Sequence, residues 1–108
     1  MSQSDAVRTY YLMSQKITKL TNKKGKKLQV KYGKNNRATG YEVQYSTSKS
    51  FKKAATKMAK VTKKKTTTKT IGKLKKKTYY VRVRSYLKKG GKTYYSAWSS
   101  KKAVKIKK

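Results

Sequence analysis

Tyr79-Tyr80-Val81-Arg82-Val83-Arg84-Ser85-Tyr86 is the stretch that decides the fold. Tyr79, Val81, Val83 and Ser85 fall on one side of an extended chain, and Tyr80, Arg82, Arg84 and Tyr86 on the other. Successive side chains of a strand point to opposite faces of its sheet, so the alternation reads as a strand with one face in a core. Lys88-Lys89-Gly90-Gly91-Lys92 follows as a hairpin loop, and Thr93 to Trp98 begins the returning strand.

The same grammar runs through the rest of the chain. Leu28, Val30 and Tyr32 alternate with Gln29 and Lys31, and Tyr41, Val43 and Tyr45 alternate with Glu42 and Gln44. Between these two strands Gly33 to Gly40, with Asn35 and Asn36 inside it, reads as a turn region. Ser46 to Ser50 is a polar turn with Phe51 as the anchor beneath it. Ala54 to Val61 suits a short strand or a helical turn, and Thr66 to Ile71, rich in β-branched residues, is extended. Ile17 and Leu20 mark a short first strand, and Ala103, Val104 and Ile106 a last one. Six or seven strands, short loops and no helical periodicity point to an all-β, two-sheet sandwich. About sixteen inward positions, at roughly 1.5–3 kcal/mol each for full burial, suffice for one thin core.

Charge limits what such a domain does. Lysine and arginine total 33 against two acidic residues, Asp5 and Glu42, for a formal charge of +31. A chain of this length folds to roughly 6,000 Å² of surface, so net charges stand about 14 Å apart against a screening length of about 8–10 Å in physiological salt. Repulsion is therefore tolerable in salt and destabilising without it. High charge with low hydropathy also fits disorder, but ten tyrosines and the period-two pattern oppose that. With no histidine and no cysteine, nothing titrates near neutrality unperturbed. Two distant carboxylates build no acid/base pair, metal cage or triad, and no pattern singles out a nucleophilic lysine. The expectation is a non-enzyme with no catalytic residue, metal or cofactor.

The order of the motifs resembles a fibronectin type III domain. Ala38-Thr39-Gly40-Tyr41-Glu42-Val43-Gln44-Tyr45-Ser46 is similar to that family's third strand, with its G-Y-x-V-x-Y pattern. Leu74 followed by Thr78-Tyr79-Tyr80-Val81-Arg82-Val83-Arg84 resembles its E–F corner and sixth strand, and Tyr94-Tyr95-Ser96-Ala97-Trp98-Ser99 the start of its seventh. The resemblance covers residues 16–108 and leaves 1–15 as an extension or linker, where Val7, Tyr10 and Tyr11 share one helical face. It implies structural roles. Tyr79 closes the corner onto backbone near Leu74, and Tyr32 takes the place of the family's core tryptophan. Arg82 and Arg84 face outward beside Trp98, with Glu42 across the sheet. The prolines usual in the first strand and the E–F turn are missing, and Leu74 to Tyr79 is one residue short, which tightens the corner. There is no Arg-Gly-Asp triplet.

The lysine-loaded style is similar to type III modules of Gram-positive bacterial surface proteins. The implied function is a structural or adhesive module, monomeric, at a cell surface or secreted. It would make salt-sensitive contacts with wall polymers, acidic glycans or a protein partner. Candidate surface contacts are Tyr80, Tyr86, Lys88, Lys89 and Lys92. The alternatives are a basic protein associating non-specifically with nucleic acid and a bacteriophage virion or decoration protein. No stretch has the length of a membrane span, and MSQSDAVRTYYLMSQ lacks the pattern of a secretory signal. A fragment, a virion protein or a cytoplasmic location therefore stand beside the surface reading.

Overall fold

Leu28 and Val30 from one sheet and Val43, Val81 and Val83 from the other meet in an interior where none of the five retains exposed surface. A computed structural model describes residues 15–107; the helical face at Val7, Tyr10 and Tyr11 lies outside them. The first sheet joins β1 (Ile17–Lys23), β2 (Lys27–Tyr32) and β5 (Thr68–Ile71) in the order β1-β2-β5. The second is ordered β4 (Thr56–Val61), β3 (Gly40–Ser46), β6 (Thr78–Lys89) and β7 (Lys92–Tyr95), and β8 (Lys102–Lys105) also pairs with β6. All pairings are antiparallel. Ile17, Ile71, Leu74, Val61 and Ile106 close the ends of the core. The architecture is the two-sheet sandwich that the alternation implies.

Tyrosine takes part in the interior as well as in its fringe. The rings of Tyr32 and Tyr41 meet at 4.7 Å, one from each sheet. Tyr32 donates its hydroxyl to the Thr66 carbonyl, and Tyr41 donates to Lys64 while accepting from the Asn35 amide. The two hydroxyls thereby pin the crossover from β4 to β5, which carries the run Lys63-Lys64-Lys65.

The structure departs from period-two reading in four places. Ile17 and Leu20, three apart, both contact the core because a bulge between Ile17 and Lys19 resets the alternation. Lys53–Ala55 forms one 3₁₀ turn before β4, so the Ala54–Val61 stretch holds both a helical turn and a strand. The hairpin loop is only Gly90-Gly91, since Lys88, Lys89 and Lys92 lie in the ladder. Both glycines have positive φ, 60° and 78°, as a tight two-residue hairpin turn requires. Phe51 does not anchor the turn from below: its backbone is left-handed (φ 56°), and its ring lies on the outer side, over Arg82.

The corner before β6 forms without proline. Lys73 takes φ 57° and a three-residue turn closes from the Lys77 amide to the Lys75 carbonyl at 2.8 Å. A left-handed lysine costs about 1–2 kcal/mol, which the burial of Leu74 and Tyr79 on either side offsets.

Two outcomes test this packing. A Cβ at Gly40 would stand 2.1 Å from the Val61 carbonyl and 2.8 Å from the Tyr86 hydroxyl, whereas one at Gly33 meets nothing. Gly40→Ala should cost about 1–3 kcal/mol in urea denaturation, and Gly33→Ala well under that. Burial, and then the neighbouring Tyr41, raise the pKa of the Tyr32 hydroxyl. Its stabilisation is full below the unfolded value of about 10 and is lost as pH rises toward the folded value. Lysine deprotonation is shared with Tyr32→Phe, so the stability advantage of the wild type over that variant should shrink between about pH 9 and pH 12. A constant difference would contradict a buried neutral hydroxyl.

Candidate functional site

The outer face of the five-stranded sheet carries the most ordered polar arrangement among the described residues. Arg82 and Arg84 point outward from β6, opposite Gln44 and Glu42 of β3 in register. Their guanidinium planes alternate with aromatic rings. Arg82 lies between Phe51 at 4.2 Å and Trp98 at 4.6 Å, and Arg84 between Trp98 at 4.4 Å and Tyr95 at 3.9 Å. Phe51, Arg82, Trp98, Arg84 and Tyr95 thus form one stack, each contact within the range of a cation–π attraction. From the side, Arg82 Nε donates to Gln44 Oε1 at 2.6 Å. Arg84 Nε and Nη2 both reach Glu42 Oε1 at 2.8 Å.

Trp98 reaches the middle of the stack through an irregular segment that sequence reading took as continuous strand. After Tyr95 the regular ladder stops and resumes only at Lys102. Ser96 and Ser99 fill the gap. The Ser96 amide donates to the Ser85 carbonyl and its Oγ accepts from the Ser85 amide. Ser99 repeats both bonds with Val83. Each hydroxyl then donates onward to the carbonyl of the next residue. Two residues of β6 are therefore matched by three on the facing segment, and serine oxygens replace backbone carbonyls. The Ser-x-x-Ser spacing is the signal that could have found this; Phe51 and Tyr95 as members of the stack, and Gln44 as the partner of Arg82, had none.

The remaining anticipated residues take definite places. Tyr79 is buried and its hydroxyl accepts from the Lys75 amide at 3.0 Å, next to buried Leu74. Tyr32 lies in the core with only 3% of its surface exposed. Tyr80 is partly exposed on the outer face, and Lys88, Lys89 and Lys92 line the exposed hairpin. Tyr86 is a correction. Its parity is outward, yet only 2% of its surface is accessible. It faces Gly40 in register, which leaves room for the ring to lie over that strand, and the Lys60 ammonium covers it at 4.7 Å. It contributes packing, and offers no platform to a ligand. Gln15, placed with the extension, is also buried and donates to the Gly33 carbonyl.

Chemically, the groups of the stack engage mainly one another. Ring faces cover the guanidinium planes, and both Nε donors are occupied. Burial, and then the adjacent Arg84 charge, pull the Arg82 pKa down. Glu42 is the only carboxylate side chain among the described residues and is spent on Arg84. No three metal-ligating side chains cluster among the described residues. None of their helices is long and apolar enough to cross a membrane. The arrangement clamps β3, β6 and the β7–β8 segment together.

No protein-family model and no curated protein matches the sequence. Solved structures do. The chicken CNTN1 FN1–FN3 domains superpose with a TM-score of 0.71 at 15% identity over 88% of this chain. The chain spans 31% of the length of that protein. A β-sandwich protein redesigned by computer superposes with a TM-score of 0.68 at 17% identity, covering 89% of this chain and 96% of the other. The fold is that of a fibronectin type III β-sandwich.

Removing the Ser99 hydroxyl leaves the buried Val83 amide without its acceptor. Ser99→Ala should cost about 1–3 kcal/mol in chemical denaturation, while the exposed Ser100→Ala should change stability by less than about 0.5 kcal/mol. Equal effects would show that the side-chain pairing carries no weight.

Proposed function

We propose that the chain is a non-catalytic module of a surface or secreted protein, of the lysine-rich Gram-positive kind, that makes salt-sensitive contacts with anionic polymers. The observation that carries this reading is the outer face of the three-stranded sheet. There Lys19 stands directly opposite Lys31, and Lys23 opposite Lys27, all four exposed. Like charges facing each other across a ladder are destabilising. No described carboxylate relieves them, since Glu42 lies in the other sheet. Thr21, Gln29, Thr68 and Thr70 fill the positions between, with Gln29 donating to Thr70 at 3.3 Å. The result is a flat polar surface whose repulsion falls when an extended polyanion lies along it. Lysine suits this, being a hydrated point charge without bidentate geometry.

The test is binding to a poly(glycerol phosphate), a polyuronate, random duplex DNA and a neutral glycan over a salt series. Affinity for the anionic polymers should fall steeply with salt, as expected when counterions are released. Replacing Lys19, Lys23, Lys27 and Lys31 by Gln should weaken binding more than replacing Lys34, Lys52, Lys53 and Lys88. Tight, salt-independent binding to the neutral glycan would overturn the reading. Preference for one specific duplex over random DNA would move it to nucleic acid.

A further inference from the structure

At the opposite edge of the sandwich, where the β5–β6 corner meets the 3₁₀ turn before β4, lies a pocket of about 300 Å³. This volume is at the small end of ligand sites. Its lining includes Lys57, Lys73, Lys75 and Lys77, together with Tyr45 and Tyr79. All four lysines are exposed, and none makes an ion pair with a described residue. Among the described residues, then, the pocket's charge is uncompensated.

The tyrosines supply the second element. Their rings sit 6.5 Å apart at a tilt of 50°. The Tyr79 hydroxyl accepts from the Lys75 amide, which leaves its own proton to give. The Tyr45 hydroxyl has no hydrogen-bond partner among the described residues. A concave site is therefore lined by four lysines and by two tyrosines whose hydroxyls each keep a proton to donate. A simple anion would leave most of the volume unused.

We infer that this pocket takes one acidic sugar unit of a glycan, a hexuronate, with its carboxylate among the lysines and its hydroxyl groups on Tyr45 and Tyr79. This rests on the anionic-polymer reading and gives it a specific element: the flat lysine face supplies non-directional attraction, and the pocket selects a sugar that carries the charge. Phosphate oxygens can also accept from the phenol protons, so what favours a uronate over a bare phosphate is size: a sugar ring has the bulk to fill the pocket and several hydroxyl groups to pair with both tyrosines.

The experiment is an amide NMR titration of the full chain at physiological salt with glucuronate, glucose and inorganic phosphate. Glucuronate should shift signals at 45–47, 54–57 and 72–79, and glucose should not. Lys57→Gln/Lys75→Gln should weaken glucuronate binding about tenfold, a loss of about 1.4 kcal/mol; Lys34→Gln/Lys65→Gln, with the same loss of charge, should leave it unchanged. Tyr45→Phe should weaken it while the spectrum stays folded. Shifts spread over lysines throughout the chain, an identical pattern with phosphate, or equal losses in the two double variants would overturn the inference. Retention on a polyuronate column separates the two claims. Wild-type retention untouched by Lys57→Gln/Lys75→Gln would refute the pocket and leave the polymer reading. Localised glucuronate shifts without polymer retention would refute the polymer reading and leave the pocket.

Discussion

The structure depends on the two opposed faces of β6. Inward, Val81 and Val83 pack without exposure against the first sheet; outward, Arg82 and Arg84 enter the aromatic stack. A slip of one residue would turn Val81 and Val83 out to solvent and both arginines into the core. A slip of two would keep the valines inward, and it is the paired side chains of the arginines that oppose it. Glu42 and Gln44 hold the register against β3, and Ser96 and Ser99 hold it against the far side. A chain with a formal charge of +31 thus folds around a strand whose polar face specifies what its apolar face stabilises.

The distribution of acid and base around that strand is economical. The single described carboxylate neutralises Arg84, a partly buried cation whose charge would be costly uncompensated. Lysines elsewhere stay in water, where each costs little and repels its neighbours only through screened distances. The two outer faces differ as a result. One is occupied by its own rings and guanidinium groups, and the other bears facing lysine pairs that no described residue neutralises.

Much of this was legible in the sequence, because burial on one side writes a period of two. β2, β3 and β6 were readable for that reason, and so were the placements of Tyr79, Arg82, Arg84 and Glu42. What escaped reading depended on events the period cannot encode. The bulge at Ile17 changes parity without a glycine to announce it. Tyr86 has outward parity but is covered because its partner across the ladder is a glycine forty-six positions upstream. Phe51 joins the stack through a left-handed backbone that is rare for a bulky residue. The pocket draws on β3, the turn before β4 and the corner before β6, so its residues come together only in three dimensions.

The sheet margins carry a consequence for how copies of the chain behave together. β1 and β5 bound one sheet, and β4 and the β7–β8 segment the other, and every one of these segments bears lysine. Unsatisfied strand edges invite pairing with another molecule, and like charges along them oppose the approach. Two molecules brought margin to margin would align rows of ammonium groups before any backbone bond could form. The module can thus be crowded, or strung in series, without its sandwiches fusing into a continuous sheet. That protection is ionic, and it weakens as salt shortens the reach of the charge.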